Sequence, residues 1–216
     1  MFPFSASSPH IQRRPSQRQG RGLGAALASL ILSVCFAGSA QAALISGGAC
    51  NEASLSQPFL KWGDASSYEL VPGGDFESSS AGWTFSGGAQ RTTGSESSGA
   101  GGANGSYSLA LPSGASAESP YTCVNAAYPT FRFFARSKAL LSTVLVTVIY
   151  RTALGSVALP LGVAAPGSQW QPTLPMLTGS VVGGALSGGT AEVALRFTSL
   201  TGSSDIDDVF IDPRMK

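Results

Sequence analysis

Two short acidic runs carry most of the chemistry that residue types and spacing could support in this chain. Val71-Pro72-Gly73-Gly74-Asp75-Phe76-Glu77, followed by Gly82-Trp83, stands a third of the way along, and Asp205-Ile206-Asp207-Asp208-Val209 stands near the end. If the first and last strands of a sandwich pair, acids from both ends meet, and a hard cation could join them through carboxylate oxygens. The competing reading is a solvated strand edge, where acidic clusters commonly sit.

Catalytic chemistry is sparse. Residues 1–42 read as an export signal: Arg13, Arg14, Arg18 and Arg21 precede an apolar core from Leu23 to Ala37, and Ala40-Gln41-Ala42 offers a cleavage site. That core is shorter than the roughly 20 residues of a membrane span. Cleavage after Ala42 removes the only histidine, His10, so no Ser-His-Asp, Cys-His or histidine-metal unit remains, and no catalytic residue is assigned. A glycosidase needs only two carboxylates, but the acids outside the two runs are scattered singly. Of 13 basic residues nine are left against 12 acids. A mildly acidic chain with no basic cluster is a poor nucleic-acid binder. Cys50 and Cys123 are the pair left after export, and an even pair in an exported protein predicts a disulfide. The expected location is secreted, extracellular or cell-surface, with no stable membrane insertion once the signal is gone.

The elements that must position these groups are strands. Gly, Ser and Pro interrupt every window long enough for a helix. Thr143–Arg151 places Val144, Val146, Val148 and Tyr150 on one face, and Ala191–Phe197 alternates Val193, Leu195 and Phe197 inward. Thr130–Arg136 turns Phe131, Phe133 and Ala135 one way and Arg132, Phe134 and Arg136 the other. Shorter runs lie at Tyr68–Val71, Trp83–Phe85, Tyr107–Leu111, Val157–Leu161, Thr173–Leu177 and Val209–Ile211. The fold class expected is all-β: an antiparallel β-sandwich or jelly roll of about eight to ten strands over residues 67–216. Residues 43–66 form a short N-terminal segment tethered by the disulfide and by Phe59, Leu60 and Trp62. Gly94–Ser106, with five Gly and four Ser in 13 residues, reads as a loop and not as a phosphate-binding one.

Gly73-Gly74-Asp75-Phe76-Glu77, Gly82-Trp83-Thr84, Ser108-Leu109-Ala110-Leu111 and the closing Ile206-Asp207-Asp208-Val209 together resemble galactose-binding-like β-sandwiches. These include carbohydrate-binding modules, and uncharacterised secreted bacterial proteins share the layout. The resemblance covers roughly residues 70–212. It implies a jelly roll with Trp83 and Trp170 in the core and, with less force, sugar binding, since a fold hosts many functions. It also implies a structural calcium held by Glu77 and Asp207, with backbone carbonyls near Gly74 and in a loop completing the shell. No other cofactor is expected.

Arg132, Phe134 and Arg136 share a strand face, and Arg151 and Arg196 could lie on neighbouring strands of that sheet. A guanidinium beside a ring suits a sugar hydroxyl or carboxylate, which makes polysaccharide or a cell-envelope glycan the expected partner. Solvated arginines with Phe134 filling core space are the plainer alternative. Three functions stay open: a secreted non-enzymatic binder of carbohydrate or envelope surface, a structural cell-surface protein without a small ligand, and a carboxylate-dependent glycosidase.

Overall fold

The computed structural model describes residues 54–212 apart from 79, 81, 101, 103, 126–129, 153 and 180–189. The expected export signal and Cys50 lie outside the described residues. Cys123 is disulfide-bonded. Mapping of non-reduced peptides is expected to link it to Cys50; a free thiol at Cys50 in the exported protein would overturn that pairing.

Two antiparallel sheets face each other. In the first, β3 (Gln90–Thr93), β4 (Tyr107–Leu111), β13 (Ser204–Ile211), β7 (Thr130–Ser137) and β10 (Gln171–Pro172) lie side by side in that order. β1 (Glu69–Leu70) adds to β13, and β11 (Met176–Leu177) adds to β7. The second runs β2 (Thr84–Ser86), β5 (Ser116–Glu118), β12 (Thr190–Thr201), β8 (Thr143–Thr152), β9 (Gly155–Ala164), with β6 (Thr122–Asn125) beside β12. The long strands fall where alternation predicts them. The count exceeds the expected eight to ten because β3, β5, β6 and β10 have two to four residues each, too few to show a period. Among the described residues no helix is long and apolar enough to cross a membrane.

The two sheets bury their facing side chains together. Phe131 and Phe133 of β7 meet Val144, Val146 and Val148 of β8 and Leu195 and Phe197 of β12 in one core. Trp83 stacks on Phe197 at 6.1 Å, and Phe133 meets the same ring edge-on at 5.0 Å. Each such side chain contributes roughly 1.5–3 kcal/mol relative to exposure.

The ends of the domain close as the acidic runs suggest. Val71 N donates to Val209 O at 2.9 Å and Val209 N to Gly74 O at 3.0 Å, and Phe76 and Val209 share the core. A Cβ on Gly74 would stand 2.9 Å from the carbonyl oxygens of both Val71 and Val209, so the two chains approach this closely only over glycine.

Residues 54–70 lie across the outer face of the first sheet. Phe59 and Tyr68 are buried against Phe134 and Phe210, with Trp62 and Leu70 packed at the margin. Leu60, expected to help anchor this segment, is exposed instead. It sits in a single 3-10 turn, Leu60–Trp62, which directs Trp62 rather than Leu60 onto Phe134, 5.3 Å away.

Candidate functional site

The outer face of the first sheet is divided into three levels. At its deepest level the face is closed. Arg132 donates from Nη1 to Asp64 Oδ2 at 2.9 Å and from Nε to Thr173 O at 2.7 Å, and its guanidinium lies 4.2 Å from the Phe59 ring centroid. Phe134 stacks on Phe59 at 5.7 Å and is 1% exposed. Both residues expected in an open platform are therefore spent on holding the N-terminal segment. Tyr68 and Ser66 complete the anchor: Tyr68 Oη donates to Asp64 Oδ2 at 2.7 Å and Ser66 N to Oδ1 at 2.9 Å. Burial pushes the Tyr68 hydroxyl up to about 12. Asp64 and Tyr68 thus keep their proton states throughout the neutral range.

The middle level holds the acids. Phe76 adopts φ 55°, and Arg91 fixes the turn there by donating to Phe76 O and Glu77 O while lying 3.2 Å from the Tyr107 ring centroid. Glu77 Oε1 accepts from Ser106 N and Tyr107 N, both at 2.7 Å. Asp207 Oδ2 accepts from Ser95 Oγ at 2.6 Å and Glu96 N at 2.8 Å, and Oδ1 accepts from Asp208 N at 2.9 Å. The two carboxylates are not bonded to each other; Ser95 and Glu96 of the Gly94–Ser106 loop bond Asp207, and Ser106 and Tyr107 bond Glu77. A Cβ on Gly105 would collide with Glu77 Oε1 and stand 2.6 Å from Ser95 Oγ, so only a glycine lets the loop pack this closely against Glu77 and Ser95. Asp207 is fully buried, and no ion pair reaches Asp207, Glu77 or Glu96 among the described residues. Burial pushes the Asp207 carboxyl up to about 7 against the bonds from Ser95, Glu96 and Asp208, with the Glu96 charge adding to the rise.

Glu77 and Asp207 offer the donor type a hard cation takes, carboxylate oxygens without a basic partner, but the bonds from Ser95, Glu96, Ser106, Tyr107 and Asp208 already occupy Glu77 Oε1 and both Asp207 oxygens. Among the described residues no three His, Cys, Asp or Glu side chains group as metal ligands. A cation here would draw the rest of its shell from backbone carbonyls and water.

The third level is partly open, with Gln90 exposed and Ala110, Arg136 and Trp170 half-buried around a buried Asp205. Strand register aligns Gln90 with Ala110, Ala110 with Asp205, and Asp205 with Arg136. Trp170, one residue before β10, extends the row, and the Arg136 guanidinium lies 4.7 Å from its ring centroid. Arg136 binds Asp205 Oδ2 through Nε at 2.9 Å and Nη2 at 2.8 Å, and Lys138 Nζ stands 3.5 Å from the same oxygen. Asp205 Oδ1 and Trp170 Nε1 find no hydrogen-bond partner among the described residues. A buried orphan acceptor beside a buried orphan donor costs free energy that a water or a ligand hydroxyl recovers.

Of the three platform residues expected, the structure leaves Arg136 in the open row, and it adds Trp170, Asp205 and Gln90. Trp170 was expected in the core, but β10 is an edge strand, so its neighbour lies half-buried on the outer face. Alternation gave Arg136, and no local signal marks Gln90. Arg151 and Arg196 belong to the other sheet, paired with Glu192 at 3.1 Å and Glu118 at 2.7 Å. They sit on β8 and β12, opposite β7 and not beside it.

No protein-family model matches the sequence, and no curated protein matches it. Solved structures similar to the chain include carbohydrate-binding modules and the enzymatically active domain of a bacteriophage tailspike protein. The CBM22-1–GH10 modules of xylanase 10B from Clostridium thermocellum share 14% identity, covering 66% of this chain and 28% of that one, at a TM-score of 0.45. The CBM22-1–CBM22-2 tandem of Xyn10C from Paenibacillus barcinonensis shares 13%, covering 67% and 46%, at 0.47. The family 11 module of the Clostridium thermocellum cellulase Lic26A-Cel5E shares 12%, covering 71% and 98%, at 0.38. The chain thus spans less than half the length of the first two.

Proposed function

We propose that this protein is a secreted, non-enzymatic β-sandwich that binds a polysaccharide or cell-envelope glycan on the open end of its first sheet. The observation that supports this reading is the cross-strand row of Trp170, Arg136, Asp205, Ala110 and Gln90. A sugar ring has an apolar face for an indole and hydroxyls for a guanidinium and an amide, while the buried Asp205 orients Arg136 from beneath. Ala110, small and half-buried between the polar groups, leaves room for a ring to lie flat. We also propose a calcium shared by Glu77 and Asp207, which would staple the ends of the domain.

The test is binding of soluble polysaccharides and an arrayed glycan set to the purified protein. Trp170→Ala is expected to weaken binding by about 10-fold, the scale of one lost aromatic contact, while Arg151→Ala on the other sheet leaves it unchanged. Equal binding by wild type and Trp170→Ala would move the site elsewhere. No binding to any glycan would favour the structural reading. A carboxylate-dependent glycosidase is the less favoured function, because Glu96, Asp205, Asp207 and Asp208 are all buried. Release of reducing ends from the same polysaccharides would reverse that preference.

A further inference from the structure

The turn that carries the chain from β7 in the first sheet to β8 in the second holds Lys138-Ala139-Leu140-Leu141, and Leu140 and Leu141 are 98% and 80% exposed. Leu200, near the β12–β13 turn, is 50% exposed. Single surface leucines are ordinary. Two in succession on a fixed turn are not, because an apolar projection held in water marks a contact site.

The turn is fixed. Ser137 Oγ donates to Ala139 O at 2.6 Å, accepts from Ala139 N at 3.1 Å and stands 2.7 Å from Ser142 Oγ. Ser142 Oγ donates to Ser203 O at 2.7 Å, and Lys138 N to Ser203 O at 2.9 Å, so the two sheet-to-sheet turns brace each other. Gly202, at φ 65°, lies where a Cβ would collide with Leu141 O. Hydrogen bonds hold the leucines outward.

The shape and charge of this tip select its partner. A side chain that is almost wholly exposed touches the protein on no side, so a flat protein surface would cover only its end, whereas fluid acyl chains close around it. Within 137–143 and 198–204 the only charged residue is Lys138, half-exposed and free of any acidic neighbour except the buried Asp205. One cation beside two leucines matches an anionic headgroup layer above a hydrocarbon layer. We propose that this tip docks the domain on an anionic lipid surface, with Leu140 and Leu141 entering the acyl boundary and Lys138 facing the headgroups.

The experiment is flotation of the purified protein, its leader shown to be absent by intact mass, with phosphatidylcholine–phosphatidylglycerol vesicles and with phosphatidylcholine vesicles alone. Wild type is expected to float with the mixed vesicles, and Leu140→Ser/Leu141→Ser to lose about 10-fold or more in lipid partition. Lys138→Gln should weaken binding to the mixed vesicles only. Trp170→Ala should float as wild type does, which separates the tip from the glycan row. Tryptophan emission of Leu140→Trp, compared with wild type, should shift to the blue on lipid addition. Wild type remaining with the lipid-free fraction, or the double variant floating equally well, would overturn the proposal. So would a change in the lipid-free oligomeric mass caused by the double variant, since the tip would then be a contact between copies.

Discussion

Asp64→Ala is expected to destabilise the domain by about 3–5 kcal/mol, the cost of leaving a buried cation without its partner. The Arg132 side chain is 6% exposed and that of Asp64 15%, so water does not replace the lost carboxylate. The substitution also removes the acceptor of Tyr68 and Ser66, and with it the reason the N-terminal segment lies flat on the sheet. Urea unfolding measures the loss. Asp64→Ala/Arg132→Leu should recover part of it, because an apolar pair over Phe59 leaves no charge buried. A loss below about 1 kcal/mol in the single variant would mean that Arg132 reaches solvent as an ordinary surface cation does. The pair also resists acid. Burial alone would raise the Asp64 carboxyl, but the bonds from Ser66, Tyr68 and Arg132 outweigh it and hold the group well below the usual carboxylate range. Its contribution is therefore complete above that range and is lost only as pH falls through the lowered value.

Asp207 is expected to behave in the opposite sense, and calcium to flatten that pH dependence. Its carboxyl rises from 3.8 to about 7, so in chelator its contribution to stability is full below pH 3.8 and fades as pH rises through about 7. Linkage puts that loss on the order of 4 kcal/mol at most, since each unit is about 1.4 kcal/mol. Asp207→Asn should flatten the slope. A cation shared with Glu77 keeps the carboxylate charged at no such cost, so excess calcium should flatten it as well. At a hundredfold excess over the dissociation constant the ion stabilises by about 2.7 kcal/mol. Thermal unfolding over a series of pH values, in calcium and then in chelator, reads both effects, with Glu77→Gln expected to abolish most of the difference. Identical melting curves in the two buffers, with no metal retained, would leave these acids as a hydrogen-bonded loop anchor only.

Much of the architecture was legible in the residues. Strict alternation in Thr143–Arg151 and Ala191–Phe197 determined the long strands and their buried faces, because a period of two admits one orientation once one face is apolar. The acidic runs marked the closure of the chain ends, and Phe76 and Val209 meet there. Alternation also put Arg132, Phe134 and Arg136 on one outer face. Which of those three remains open depended on what lies above the sheet. The aperiodic segment 54–70 covers Arg132 and Phe134 through Phe59, Trp62 and Asp64, contacts 68 to 75 residues apart in sequence that no local pattern records. The same holds for Gln90 and Trp170: β3 and β10 are too short to show a period, and only cross-strand register aligns them with Asp205 and Arg136. Local sequence thus determined which way each side chain points from its own strand. Tertiary packing decided which of them meet and which stay in water, because long-range burial is set by the whole chain and not by any window of it.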